Sequence, residues 1–258
     1  MTKIKQIGSS NLFLIAIGLY TLATILGLAD VFLSLAWDTP LGALGSFAGV
    51  FGGILGAVLA AVPIIALWLI FDGAKFEQNP NLSGQKVLTA LKMSQVYIII
   101  TICLLSVVVV FGLLGLALLG LAGNALGEVA GLPPGYFPIT AALIVVGSGI
   151  SILWHVLALG IIKNLRNNIY SGNFQPLPAT GLFTAIVGFD IALGFSMLFI
   201  TPNLLTNLGM DAQLIEMFTT HLPMGHLGIG TFATLATILS LSLFLVLLHK
   251  FNNNTEGA

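Results

Sequence analysis

Two side chains set in apolar surroundings could carry chemistry: Asp190, in the run VGFDIALGF, and His155, in ILWHVLALG. A carboxylate and an imidazole held inside hydrocarbon can relay protons, hold a cation or bind a polar solute. Asp190 falls eleven residues into an apolar run that starts after Pro178-Ala179, which places it near a bilayer midplane. A carboxylate at that depth costs roughly 2.5–3.5 kcal/mol on insertion scales, so functional use is the default hypothesis. His155 lies eight residues before Lys163, about 12 Å from the inner interface, against about 17 Å for Asp190 on the same rise. An offset of about 5 Å is within side-chain reach if the two helices touch. The competing reading is a buried hydrogen bond that only fixes helix packing; such bonds average ~0.6 kcal/mol in membranes.

A second set, Asp211, Glu216, His221 and His226, has the residue types of a zinc or copper site. Its spacing of five turns about 140° per step on a helix and scatters the side chains. Pro223 interrupts the segment, and no His-Glu-x-x-His motif is present. An ordinary solvated outer loop is expected there, with no cofactor; a metal-dependent enzyme on the outer face is the weaker alternative. No Gly-x-Ser-x-Gly elbow or Walker loop occurs, and Gly147-Ser148-Gly149 has no lysine beside it. Paired-aspartate proteolysis needs two midplane acids, and only Asp190 qualifies. Asp30 and Asp72 read as boundary residues at headgroup level. No enzymatic activity is expected.

The elements that must position these residues follow from composition. The 258 residues are 57% hydrophobic and only 7% charged, with a mean hydropathy of +1.08. Soluble domains carry roughly 25% charged residues, so this chain belongs to the membrane class. Several apolar runs exceed the ~20 residues that cross a ~30 Å hydrocarbon core. A net charge of −1 gives no attraction to nucleic acid, and the single Cys103 excludes an internal disulfide framework. The first apolar run is longer than a signal-peptide core and lacks a small-x-small site, so it is expected to be a retained span.

All eight Lys and Arg residues fall in four clusters: Lys3 and Lys5; Lys75, Lys86 and Lys92; Lys163 and Arg166; Lys250. The stretches between them, 6–74, 93–162 and 167–249, are each long enough for a helical hairpin. Positive residues in short loops collect on the cytoplasmic side. The expected fold is therefore all-α, one domain: a polytopic bundle of six transmembrane helices in three hairpins, both termini cytoplasmic. The spans are expected at about 12–36, 50–71, 96–121, 139–162, 179–200 and 227–248. Pro63 should kink the second, and the residues before it should form a tilted or re-entrant entry. Residues 83–94 read as a separate amphipathic lead-in to the third span. In the last span Thr231, Thr234, Thr237 and Ser240 share one face.

Gly45, Gly49, Gly53, Ala57 and Ala61 recur every fourth residue and form a ridge almost without side chains. Such a GxxxG-type ridge lets another helix approach closely. It points to packing against the chain's own helices, a second copy or another membrane protein, besides the lipid bilayer itself.

The runs LWLIFDGAK, SGQKVLTALKMSQVYIIIT and WHVLALGIIKNLRNNIYSG resemble segments of uncharacterised multi-pass membrane proteins of Gram-positive bacteria. The resemblance covers about a fifth of the chain. It implies a bacterial plasma-membrane protein and brings no activity or site residues with it. The leading expectation is a non-enzymatic packing or accessory component of a membrane assembly. The alternative is a small proton- or cation-coupled transporter or channel using Asp190 with His155, whose mark would be a cavity reaching Asp190.

Overall fold

The structure, a computed structural model, describes residues 2–35, 42–130, 136–197 and 229–256. Among these residues the chain is all-α, with helices α1 Thr2–Gly8, α2 Asn11–Leu35, α3 Gly42–Lys75 and α4 Pro80–Ala130. They are followed by α5 Tyr136–Ser171, α6 Thr180–Met197 and α7 Ile229–Glu256. Five of them contain stretches long and apolar enough to cross a membrane: 11–30, 56–75, 80–117, 145–171 and 231–253. The apolar stretch of α6, Thr180–Phe195, is shorter. In hydrocarbon a chain must satisfy its own N–H and C=O groups, and a helix does so within one segment.

Helix ends follow local chemistry. Ser10 caps α2, its Oγ accepting from Phe13 N at 3.2 Å. Asn79 caps α4, its Oδ1 accepting from Asn81 N at 3.0 Å, and Pro80 takes the first helical position, where no N–H is needed. Gly172, at φ 68°, closes α5 in the left-handed conformation that glycine adopts without strain.

Helices α3, α4, α5 and α7 are longer than the expected spans. The lead-in at 83–94 is not a separate piece: α4 runs unbroken through 51 residues, past Gly123 and Gly127. Glycine costs a helix about 1 kcal/mol relative to alanine, too little to end one that has no proline inside. The entry to the second span is helical from Gly42 rather than re-entrant, and α3 continues through Pro63. α5 starts at Tyr136, with Pro138 in its first turn, where its missing N–H is still harmless. α7 extends beyond the expected end of its span to Glu256.

Helices adjacent in sequence pack side by side from α2 through α7, and α7 packs back on α2, closing the order into a circuit. One end of this bundle is knitted by a core of Ile4, Val87, Leu91, Ile161, Leu177 and Phe251. Each positive cluster has a member of this core within five residues in sequence, so all four clusters gather at one end. A second core, Phe13, Ala16, Ile17, Phe71 and Leu247, joins α2, α3 and α7. Beside it the buried Ser240 hydroxyl donates to the Ala16 carbonyl at 2.9 Å.

Close approach occurs at glycines outside the expected ridge. A Cβ on Gly73 would lie 3.0 Å from Lys86 Cβ and 3.3 Å from Ser83 O; one on Gly112 would lie 2.7 Å from Val145 Cγ2. Of the ridge, Ala57 and Ala61 are half-buried on α3, and the surroundings of Gly45, Gly49 and Gly53 lie outside the described side chains. Gly73→Ala is expected to destabilise by about 1–3 kcal/mol, the usual cost of overpacking. Gly56→Ala, with nothing within 4 Å, should be neutral or stabilising by up to about 1 kcal/mol. Reversible unfolding in mixed micelles measures both.

Candidate functional site

Asp190 opens into a groove of about 440 Å³ between α2, α6 and α7. Small residues create the space: Ala23 and Gly27 on α2, Gly194 on α6 and Ala233 on α7 all line it. A side chain added at Gly27 would meet nothing within 4 Å among the described residues, so the described helices do not close over this position. Thr234 and Thr237, one turn apart on α7, contribute hydroxyls to the same groove, and its remaining walls are mainly apolar. Thr237 Oγ1 donates to Ala233 O at 2.9 Å, which leaves its oxygen lone pairs to accept.

Depth along three helices agrees. Asp190 is about 15 Å along α6 from Thr180, Ala23 about 18 Å along α2 from Asn11, and Thr237 about 20 Å from Lys250. In a ~30 Å hydrocarbon layer beginning at Thr180, Asn11 and Lys250, these distances would fall near the middle. Thr234 and Thr237 were visible in the sequence as part of a polar face, but not as neighbours of Asp190. Their shared face with Ser240 divides by depth: Ser240 is buried against α2, and the threonines face open space.

His155 is placed differently. It is 5% exposed on α5, and its Nδ1 lies 2.7 Å from Ser151 O. A carbonyl only accepts, so Nδ1 carries hydrogen and Nε2 is the acceptor when the ring is neutral. Asp190 and His155 are within electrostatic range of each other. The ion pairs under 4 Å among the described residues are elsewhere, both made by Lys86. The structure thus brings the two expected partners near without joining them, and Asp190 shares its groove with hydroxyls instead.

Asp211, Glu216, His221 and His226 lie outside the described residues. Among the described residues no group of three or more His, Cys, Asp or Glu side chains is placed to hold a metal.

The charged end of the bundle holds a second polar cluster. Lys86 Nζ donates to Asp72 Oδ2 at 2.7 Å and pairs with Glu77 Oε2 at 3.1 Å, tying the end of α3 to α4. Lys5 Nζ donates to Glu77 O at 3.1 Å, and Arg166 to Gln95 Oε1 at 2.5 Å. Asn252 Oδ1 accepts from Leu177 N at 2.7 Å, fastening α7 to the connection before α6. Asp72, expected as a simple boundary residue, is therefore part of a junction.

No protein-family model, curated protein or solved structure matches this chain. Its functional reading rests on its own residues.

The Lys86 ammonium, and then the Asn79 N–H, hold the Glu77 carboxyl below its ordinary value. Folding therefore favours the ionised form, and the contribution is complete above the ordinary glutamate value of about 4.3. It is lost as pH falls through the depressed value. Wild type should lose stability in that acid range, and Glu77→Gln should lower stability at neutral pH while losing less on acidification. Thermal unfolding in micelles from neutral to acid pH tests this.

Proposed function

We propose that this chain is a six-span protein of a bacterial plasma membrane that admits a small cation or protons to a midplane site at Asp190. The carrying observation is the groove of about 440 Å³ into which Asp190, Thr234 and Thr237 open together. A carboxylate supplies the charge, two hydroxyl oxygens supply neutral donors, and the apolar walls exclude competing water. Hard oxygen donors of this kind suit an alkali cation or a hydrated proton. A lone packing carboxylate would be expected to find a hydrogen-bond partner across a helix contact. Among the described residues Asp190 instead lines the groove and makes no ion pair under 4 Å.

The six-span arrangement rests on the positive clusters. Both terminal helices contribute to the core at the charged end, which supports a cytoplasmic location for both termini under the positive-inside rule. α6 then supplies the fifth span.

A second reading, an accessory component that packs against a second copy or another membrane protein, is favoured by α4. Val96, Ile99, Val107, Phe111 and Leu114 of that helix are all exposed. Cys103 lies among them and is itself exposed. A Cys103–Cys103 crosslink formed at low protein-to-lipid ratio would support packing of α4 between copies. Exclusively monomeric protein would leave lipid as the cover of that face.

The transport reading is tested in liposomes containing a pH-sensitive dye and the purified protein, with an imposed Na⁺ or K⁺ gradient. Wild type should move protons or cations. Asp190→Asn should fall to the level of empty liposomes, and Gly27→Leu, which fills the groove without touching the carboxyl, should fall substantially. Flux unchanged in Asp190→Asn would overturn the proposal.

A further inference from the structure

A second apolar groove, about 380 Å³, runs along α3 from Ile64 and Ile65 past Trp68 to Asp72 and Phe76. It points from hydrocarbon depth toward the charged end of the bundle, over about 18 Å of helix axis. Ile65, Trp68 and Phe76 on its walls are exposed. On a membrane-spanning helix such a face is covered by lipid unless protein displaces it.

The charged groups at its mouth decide which lipid. Asp72 is the carboxylate on the groove wall; Lys86 holds it at 2.7 Å and also holds Glu77 at 3.1 Å, so both carboxylates are turned toward Lys86 on α4. Lys75, at the end of α3, has no carboxylate within 4 Å among the described residues. Its ammonium lies over the rings of Phe71 and Phe76, 5.0 and 5.6 Å from their centroids. These two cation–π contacts hold the charge beside the groove while leaving its N–H donors for an anion. Trp68, whose indole N–H lies 3.4 Å from Thr21 Oγ1, precedes Lys75 by seven residues, about 10 Å deeper. That separation suits an acyl chain along Trp68 beneath a headgroup phosphate at Lys75.

We propose that this face of α3 is a site for one anionic phospholipid, its headgroup on Lys75 and an acyl chain along Ile65, Trp68 and Phe76. A single basic residue near a membrane surface corresponds to about a fivefold preference for anionic lipid. The groove adds a fixed position for the chain.

Trp68 reports on the site directly. In a Trp37→Phe/Trp154→Phe background it is the remaining tryptophan. Its fluorescence is measured in vesicles where a small fraction of either phosphatidylglycerol or phosphatidylcholine carries brominated acyl chains. Brominated phosphatidylglycerol should quench at several-fold lower mole fraction than brominated phosphatidylcholine. Lys75→Gln should erase the difference, and Lys75→Arg should keep it, which separates lost charge from lost folding. Equal quenching by the two lipids overturns the proposal. Failure of either lipid to quench also overturns it, since that face would then be covered by protein.

Discussion

Inside a bilayer an apolar helix gains nothing by exchanging lipid for another apolar helix, and this constraint governs the whole molecule. Hydrocarbon is as good a neighbour for leucine as leucine is, so association within the membrane needs close packing or a polar contact. The described residues show both in small number. Ser240 reaches the Ala16 carbonyl across α2 and α7, and Gly112 lets α5 approach α4 until Val145 fills the place of a side chain. Elsewhere the spans expose apolar side chains freely, as α4 does along residues 96–114. At the charged end, outside or at the edge of hydrocarbon, water restores the ordinary hydrophobic effect. The most extensive buried core lies there, drawing on both terminal helices, on α4 and α5, and on the α5–α6 connection.

The groove at Asp190 is the other side of the same constraint. Small residues on α2, α6 and α7 could have brought the helices together, as Gly73 and Gly112 do elsewhere. Among the described residues no side chain comes within 4 Å of a Cβ at Gly27, so smallness there yields space instead of contact. A space with apolar walls and a single carboxylate would be a liability in a purely structural protein. Thr234 and Thr237 line the same space and bring oxygen atoms to its otherwise apolar walls.

The all-helical class and the presence of several membrane-length apolar helices were legible in the sequence because they depend on sums over many residues, and hydropathy is such a sum. The same holds for the gathering of Lys and Arg at one end. Helix ends were less legible: residues 83–94 and 96–121 differ in polarity, which suggested two elements, yet a helix backbone is indifferent to that change when no proline intervenes. Asp190 stood out because a midplane carboxylate is costly wherever it points. Its threonine neighbours did not, since pairing α6 with α7 at that register depends on tertiary contacts that no spacing rule reports. The glycine ridge illustrates the converse limit. A four-residue repeat marks a surface able to pack closely, but which glycine is used depends on what the other helix brings. Gly73 is tight because α4 turns back immediately beside it.

Charge is scarce in this chain, and four of its eight cations make contacts that hold the charged end together. Lys86 bridges Asp72 and Glu77, Lys5 holds the Glu77 carbonyl, and Arg166 binds Gln95. Each of these contacts ties segments far apart in sequence or closes the α3–α4 turn, so these residues lock the charged end from which the helices rise. Lys75 stands apart, cradled by two aromatic rings without a carboxylate partner among the described residues. A charge kept in place but not paired with a carboxylate among the described residues keeps its N–H donors for its surroundings. The end of the bundle that holds the fold together is thereby also the end that meets the membrane's own chemistry, some 15–20 Å along the helices from the carboxylate at the midplane.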